Sequence, residues 1–293
     1  MSFTRVGIIR HIENKNLEKI NQLFDIFQNE LNNKYKLVDI FIDENNTWHS
    51  LGIPILPMDL YHRVDFIWNE NDPHIMQTLS HTGIPHFSKN PFHNLLENNK
   101  NNLQKYLENL SINTPRNFII PPYQNDIDKD LESYAMKKAK EVWNKFSPPY
   151  TLHTSSDNNV ATFVVKTFPE LYEHIYELLS KGDNVLVEEI ILGEKNTLHF
   201  LPNFRNQKYY SLYNPSLKND LKKHLFDIGQ TLINDLGIKY YLKIEFIVKG
   251  NKVYVVNIKT SLDFNDPYLK ANLDSFGIQN KDIIEHIFKN ATI

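Results

Sequence analysis

Two apolar segments near the C-terminal end place the strongest limit on what this chain can fold into. Residues 240–248 read YYLKIEFIV, and a second run, VYVVNI, begins at Val253. Both runs are rich in β-branched and aromatic side chains, which is typical of strands in a buried sheet. The tripeptide KGN follows the first run, and a short glycine-containing link of this kind predicts a β-hairpin.

The polar side chains of this predicted hairpin have the layout of a metal site that lacks most of its charge. Glu245 lies among apolar residues on the first strand, whereas the second strand offers Asn257 and Lys259 where a matching acid is expected. Glu245 is therefore either a metal ligand or the partner of an internal cation such as Lys243 or Lys259, because a buried carboxylate needs a partner.

The N-terminal third alternates strands and helices. TRVGIIR, YKLVDIFID and RVDFIWN are strand-like, and the stretch between the first two spaces Leu17, Ile20, Phe24, Phe27 and Leu31 on one helix face. A βαβ order of this kind implies a parallel, doubly wound unit, so the predicted fold class here is α/β and Rossmann-like.

The character of the sequence changes near residue 89, where long polar helices begin to alternate with antiparallel strand pairs. We therefore predict three domains: a Rossmann-like N-terminal domain over 1–88, a small α+β central domain over 89–182, and an antiparallel α+β C-terminal domain over 183–293.

Composition excludes several classes of protein. The net charge is −3, from 32 Lys plus Arg and 35 Asp plus Glu, so no basic excess favours nucleic acid. There is no cysteine, which excludes disulfides, thiolate metal sites and a cysteine nucleophile. With no signal peptide and no apolar run of about 18 residues, the expectation is a cytoplasmic protein without a membrane partner. Glycine is scarce, with 9 residues where average usage of about 7% gives roughly 20.

The ordered set GIPHF, INTP, VLVEE, NFRN, YLKIEFIV and VYVVNIKT resembles the ATP-grasp superfamily, and most closely the D-alanine–D-alanine ligases. The resemblance covers essentially the whole chain. It implies ATP bound between the central and C-terminal domains, two Mg²⁺ ions at the phosphates, and an acyl phosphate made from one D-alanine and attacked by another. It also implies a homodimer or an association with an active relative as a possible partnership.

The nucleotide positions of the family are partly retained. By resemblance, Lys100 matches a phosphate-binding lysine, Glu188 a ligand of the adenine amino group, and Ile190 and Ile191 backbone and apolar contacts to adenine. Lys100 also fits a solvated helix face. Glu188 and its neighbour Glu189 are either adenine contacts or residues retained by sheet packing.

Other family positions have lost their chemistry. The resemblance puts Asn16 where a substrate-binding glutamate is expected, His153 where the second phosphate lysine is expected, and Lys195 where an acid binds ribose. Lysine has donors but no acceptor, so Lys195 cannot reproduce that contact. His153 is alternatively a structural residue. The phosphate loop reads SSDNNVA, without glycine, and the loop that covers the substrates is missing.

The expected metal site is altered most. By resemblance, Lys243 replaces an oxyanion-binding arginine and Glu245 replaces a metal-binding aspartate. On the second strand, Asn257 replaces a bridging glutamate and Lys259 replaces a metal-binding asparagine. An ammonium group repels Mg²⁺, and an amide lacks the charge that holds two cations together. Nearby acids, Asp263 and Asp266, could replace the lost ligands.

Three functions follow from these losses. The first hypothesis is a degenerate ligase-like protein without ligase activity, which acts as a binding or regulatory module with ATP possible and Mg²⁺ doubtful. The second is an active ATP-dependent ligase with altered metal coordination. The third is a structural scaffold that binds no nucleotide.

Overall fold

A computed structural model gives the structure of this chain and describes residues 5–11, 17–29, 31, 34–69, 73–124, 130–154, 163–214 and 216–291. By compactness the chain divides into two units, neither of which is continuous in sequence. Unit 1 comprises Met1–Asn98, Thr197–Ile244 and Ile258–Ile293, and unit 2 comprises Asn99–Asn196 and Glu245–Asn257. The three consecutive domains stay a prediction beside this division.

The described residues form strands and helices throughout the chain. The strands are β1 (Arg5–His11), β2 (Lys36–Ile42), β3 (Trp48–Ser50), β4 (Ile53–Ile55), β5 (Phe66–Asn69), β6 (His86–Ser88), β7 (Asn117–Ile120), β8 (Tyr150–Thr154), β9 (Phe163–Val165), β10 (Val185–Glu189), β11 (Glu194–Pro202), β12 (Tyr209–Tyr213), β13 (Leu242–Lys249) and β14 (Lys252–Lys259). The α-helices are α1 (Leu17–Asn29), α2 (Met76–Thr82), α3 (Pro91–Asn98), α4 (Lys100–Asn109), α5 (Leu131–Lys145), α6 (Phe168–Ser180), α7 (Asn219–Leu236), α8 (Pro267–Ser275) and α9 (Asn280–Ala291).

Unit 1 contains a six-stranded sheet in the order β4-β3-β2-β1-β5-β6. Strand β1 is parallel to β2 and β5, and β5 is parallel to β6, which confirms the predicted Rossmann-like arrangement for these four strands. Strands β3 and β4 extend the sheet as an antiparallel hairpin that the sequence analysis did not predict. The hairpin is short, and its Pro54 interrupts any strand periodicity.

Aromatic side chains join the two ends of the chain in the core of unit 1. The ring of Trp68 on β5 lies 5.9 Å from Phe27 on α1 and 6.3 Å from Phe288 on α9, measured between centroids. All three residues are buried. Because the terminal helix completes this core, segments from both ends of the sequence belong to one compact unit.

Unit 2 is built on a four-stranded antiparallel sheet in the order β7-β10-β8-β9, with α5 and α6 in the same apolar core as the buried side chains of that sheet. Helix α6 begins at a capping box, in which Thr167 and Glu170 each bind the backbone of the other. Helices α5 and α6 pack against one face of this sheet and do not cover the other face.

The remaining sheet has the order β12-β11-β13-β14. It includes the hairpin predicted from the sequence, with β13 ending at Lys249 and β14 beginning at Lys252. Gly250 in the turn has a φ of +61°, a conformation that glycine adopts without steric cost. The boundary between the two units runs through β11, β13 and β14. No helix within the described ranges is both long and apolar enough to cross a lipid bilayer.

Candidate functional site

The candidate nucleotide site lies on the face of the unit 2 sheet opposite α5 and α6. Side chains alternate along β10, so Val185 and Val187 are buried in the helix-covered core, whereas Leu186 and Glu188 lie on the opposite face. Cross-strand register places His153 opposite Leu186 on the adjacent strand. This face therefore carries two of the residues that the resemblance assigned to nucleotide binding.

Lys100 lies close to Glu188 in unit 2. Helix α4 begins at Lys100, because Asn99 caps it by accepting a hydrogen bond from the backbone of Asn102. The Lys100 ammonium donates to the Val256 carbonyl at 2.7 Å, and it lies 4.0 Å from a Glu188 carboxylate oxygen. Its side chain is 38% exposed and so remains within reach of a ligand.

His153 is a neutral side chain at neutral pH. Burial lowers the pKa of its ring, Glu188 raises it and Lys100 lowers it, with a net decrease. The position that the resemblance reserves for a second phosphate-binding cation therefore carries no fixed positive charge, and it can only offer a phosphate one neutral hydrogen-bond donor.

Glu189 forms an ion pair within unit 2. Arg116 donates to its two carboxylate oxygens from Nε at 2.8 Å and from a terminal nitrogen at 3.0 Å. This bidentate contact lowers the pKa of Glu189 and occupies both oxygens. The geometry therefore favours sheet stabilisation over adenine binding for Glu189, in contrast to Glu188. The sequence analysis did not single out Arg116, because a lone arginine before a strand has no distinctive pattern.

The segment after β10 is the one that the resemblance assigns to adenine binding. The Ile190 N–H donates to the Pro149 carbonyl at 3.0 Å, and the Ile191 side chain is buried. Gly193 is required where it is, because a Cβ there would lie 2.2 Å from the backbone oxygen of Val248. Lys195 is exposed near the start of β11.

Two residues of the expected metal site meet in unit 2. The Asn257 amide donates to a Glu245 carboxylate oxygen at 3.5 Å. The Asn257 amide offers an N–H donor to the Glu245 carboxylate oxygen that a cation would have to bind. Hard cations such as Mg²⁺ are instead bound by several oxygen acceptors. This pair therefore does not fit the two Mg²⁺ ions that the resemblance implies.

Lys243 belongs to a buried ion pair in unit 1. Its ammonium lies 2.6 Å from a carboxylate oxygen of Asp266, and the two side chains are 10% and 8% exposed. Burial raises the pKa of Asp266, but the hydrogen bond and the charge of Lys243 outweigh it, so that the pKa is lowered overall. Asp266 also caps α8 by accepting from the backbone of Tyr268 at 2.9 Å. The structure thus gives Asp266 two partners that are not metal ions.

Lys259 and Asp263, the remaining residues named for the altered metal site, lie near Asp266 in sequence. Lys259 is half-buried at the end of β14, and Asp263 accepts a hydrogen bond from the backbone of Asn265 at 3.2 Å in the turn before α8. Within the parts of the chain that the structure describes, no three His, Asp or Glu side chains form a group that could hold a metal ion. Asn16 and the SSDNNVA loop (155–161) lie outside the described residues.

Comparisons with known proteins identify the fold first as ATP-grasp and then as the D-alanine–D-alanine ligase type. The solved D-alanyl-alanine synthetase A from Vibrio cholerae aligns over 100% of both chains, with 11% identity and a TM-score of 0.74. The D-alanine–D-alanine ligase from Bacillus anthracis, complexed with ATP, aligns over 99% of this chain and 97% of its own, with 19% identity and a TM-score of 0.70.

A third solved structure extends the range of substrates among these neighbours. VanG, a D-Ala:D-Ser ligase from Enterococcus faecalis, aligns over 99% of this chain and 100% of its own, with 13% identity and a TM-score of 0.73. No protein-family model and no curated protein matches the sequence. The predicted fold is thereby confirmed along the whole chain.

Proposed function

We propose that this chain binds an adenine nucleotide without Mg²⁺ and has no ligase activity, so that it acts as a binding or regulatory module. The observation that carries the loss of ligase activity is the buried ion pair between Lys243 and Asp266. Nucleotide binding and the loss of catalysis are supported by separate contacts.

Nucleotide binding is supported by three groups of unit 2. Lys100 offers an ammonium on a partly exposed side chain for phosphate, Glu188 offers a carboxylate for the adenine amino group, and Ile191 lies at the position of a backbone contact to adenine. The Lys100 ammonium donates to the Val256 carbonyl and lies near Glu188, so its charge already has polar partners at the place where we propose that phosphate binds. The solved relative from Bacillus anthracis is a complex with ATP, which supports the same class of ligand here.

Loss of ligase activity is supported by the contacts of the altered positions. An oxyanion-binding cation must be available to the developing negative charge of the transition state, and removal of one such group can cost about 10²–10³ in rate. The charge of Lys243 is already neutralised by Asp266 at 2.6 Å. Glu245 receives an amide from Asn257, so the carboxylate is not prepared for a cation.

The test is thermal unfolding with ATP or ADP, each in EDTA and in excess Mg²⁺. We expect stabilisation in EDTA that Mg²⁺ does not increase, and a ligand at 100 times its dissociation constant adds about 2.7 kcal/mol to the free energy of unfolding. Lys100→Met should remove most of this gain. Lys105→Met is the matched control, because Lys105 is an exposed lysine on the same helix.

Turnover assays separate this proposal from its two alternatives. D-alanine should not stimulate ADP formation from ATP. A stabilisation that requires Mg²⁺, together with D-alanine-dependent ADP formation, would establish the active ligase with altered metal coordination. No stabilisation by either nucleotide would establish the scaffold. If binding is confirmed, light scattering with and without ATP tests for a homodimer as the partner state.

A substitution at His153 tests the position of the phosphates. His153→Lys restores a permanent cation near Lys100, so we expect ATP to bind about tenfold more tightly at pH 7.5, the scale of one charge-assisted hydrogen bond. His153→Gln, which keeps a neutral donor, should bind as the parent chain does. Isothermal titration in EDTA measures both, and equal affinities for the two variants would place the phosphates elsewhere.

A further inference from the structure

A second cavity lies entirely within unit 1 and is separate from the residues assigned to the nucleotide. Its volume is about 490 Å³, and its lining includes the end of α2, strand β6 and the segment that joins α7 to β13. Volumes of 300–1,000 Å³ are typical of small-molecule sites. The proposed function does not use this cavity.

The apolar walls of this cavity include two aromatic rings. Phe87 and Tyr240 meet edge to face with centroids 5.2 Å apart, and Ile84 and Ile238 line the same space. Phe87 is buried, and burial raises the pKa of Tyr240. Rings held in this way provide flat apolar surfaces, which favour a planar ligand over a bulky one.

The polar groups that line the cavity include a serine hydroxyl and two imidazole rings. The Ser88 hydroxyl is buried and has no hydrogen-bond partner among the described residues. His93 donates from Nε2 to the Leu236 carbonyl at 3.0 Å, and His86 donates from Nδ1 to the Ile84 carbonyl at 3.0 Å. Burial lowers the pKa of His93, and an imidazole that donates from one nitrogen can accept at the other when it is uncharged, whereas the serine can donate or accept.

The charges around the cavity leave no buried partner for an ionised ligand. Lys239 is the one charged side chain among the lining residues, all of which the structure describes, and it is exposed. Glu97 lies close to His93, but Lys89 contacts its carboxylate at 2.7 Å and Thr260 donates to it at 2.8 Å. A charge buried without a partner is costly, so these walls select against ionised ligands.

We propose that this cavity binds a neutral, planar heteroaromatic molecule that carries both a hydrogen-bond donor and an acceptor. The donor serves an imidazole nitrogen of His86 or His93, the acceptor takes the Ser88 hydroxyl, and the ring lies against Phe87 and Tyr240. Nicotinamide has these properties and serves as the probe. Nicotinate has the same ring with a charge, and cyclohexanecarboxamide has the same amide without a planar ring.

Methionine methyl NMR provides a local readout of binding. The chain has four methionines, of which Met76 lines the cavity, whereas Met58 is exposed and Met136 lies on α5. The methionine methyl groups of the full chain are labelled with ¹³C, and we expect nicotinamide to shift the Met76 signal in a saturable way. The Met58 and Met136 signals should not move. Met76→Leu assigns the signal. Nicotinate and cyclohexanecarboxamide should bind at least about tenfold more weakly.

Variants make the test specific. Ser88→Ala removes one hydrogen bond and should weaken nicotinamide binding by about threefold to tenfold. Ser275→Ala, at an exposed serine of α8, is the matched control and should have no effect. The proposal is overturned if the Met76 signal does not move, if all the methionine signals move together, or if nicotinate binds as tightly as nicotinamide. An unchanged affinity of Ser88→Ala would overturn the assignment of the hydroxyl.

Discussion

Replacement of Lys243 by methionine is expected to lower the free energy of unfolding by about 3–5 kcal/mol, the usual cost of removing one partner of a buried ion pair. The substitution leaves the carboxylate of Asp266 buried without the ammonium that lies 2.6 Å away. Asp266→Asn should cost a similar amount, because it leaves Lys243 charged while the asparagine still caps α8. Urea unfolding at pH 7 measures both.

The double variant distinguishes a charge effect from a packing effect. Removal of both charges should cost less than the sum of the two single substitutions, because the double variant leaves no buried charge without its partner. Lys34→Met is the matched control, because Lys34 contacts Glu285 at the same short range of 2.7 Å but both side chains are exposed, at 59% and 47%. Exposed pairs contribute about 0–1 kcal/mol. An equal loss for Lys34→Met and Lys243→Met would contradict the prediction.

Acidification is expected to destabilise the chain through His286. The pKa of this ring is lowered to about 4, chiefly by burial; the Pro202 carbonyl raises it and the charge of Lys289 lowers it. The ring is buried beside Phe204, at 5.1 Å between centroids. In the unfolded chain the pKa is about 6.5, so below that pH the unfolded state takes up a proton that the folded state refuses until about pH 4.

The sign and size of this effect follow from linkage. Stability is lost as the pH falls from about 6.5 to 4, by about 2 kcal/mol at pH 5 and about 3 kcal/mol at pH 4. The free-energy difference between the parent chain and His286→Gln should therefore shrink by these amounts, as measured by urea unfolding between pH 7 and pH 4.5. His224→Gln, at an exposed histidine of α7, is the matched control. A constant difference for His286→Gln would show that the ring titrates normally.

Local sequence signals predicted most of the fold. Helix α7 ends at Gly237, as its apolar spacing and glycine indicate, and the hairpin of β13 and β14 turns at Gly250. The β3–β4 hairpin was not predicted, because three-residue strands have too few alternating positions to give a period. Helix α8 was also missed, since its start depends on the Asp266 cap rather than on an apolar stripe.

The candidate site was harder to predict than the fold. Glu188 and Lys100 were selected by their place in a strand and a motif, and the structure brings them within 4.0 Å. The partner of Glu189 lies 73 residues away in sequence, at Arg116, and no local pattern joins the two. Asp266 was named as a possible metal ligand, but its position beside Lys243 depends on how β13 and α8 pack in unit 1.

The sequence by itself determined most of the order of strands and helices, apart from the β3–β4 hairpin and α8, and it determined the types of side chain at the altered positions, because both can be read from local periodicity and spacing. The absence of a carboxylate at 257 and of an acid at 195 can likewise be read directly from the residues. Only the tertiary structure decided which charges neutralise one another. Ion pairs and hydrogen bonds depend on distances of a few ångströms between segments far apart in sequence, and folding alone sets those distances.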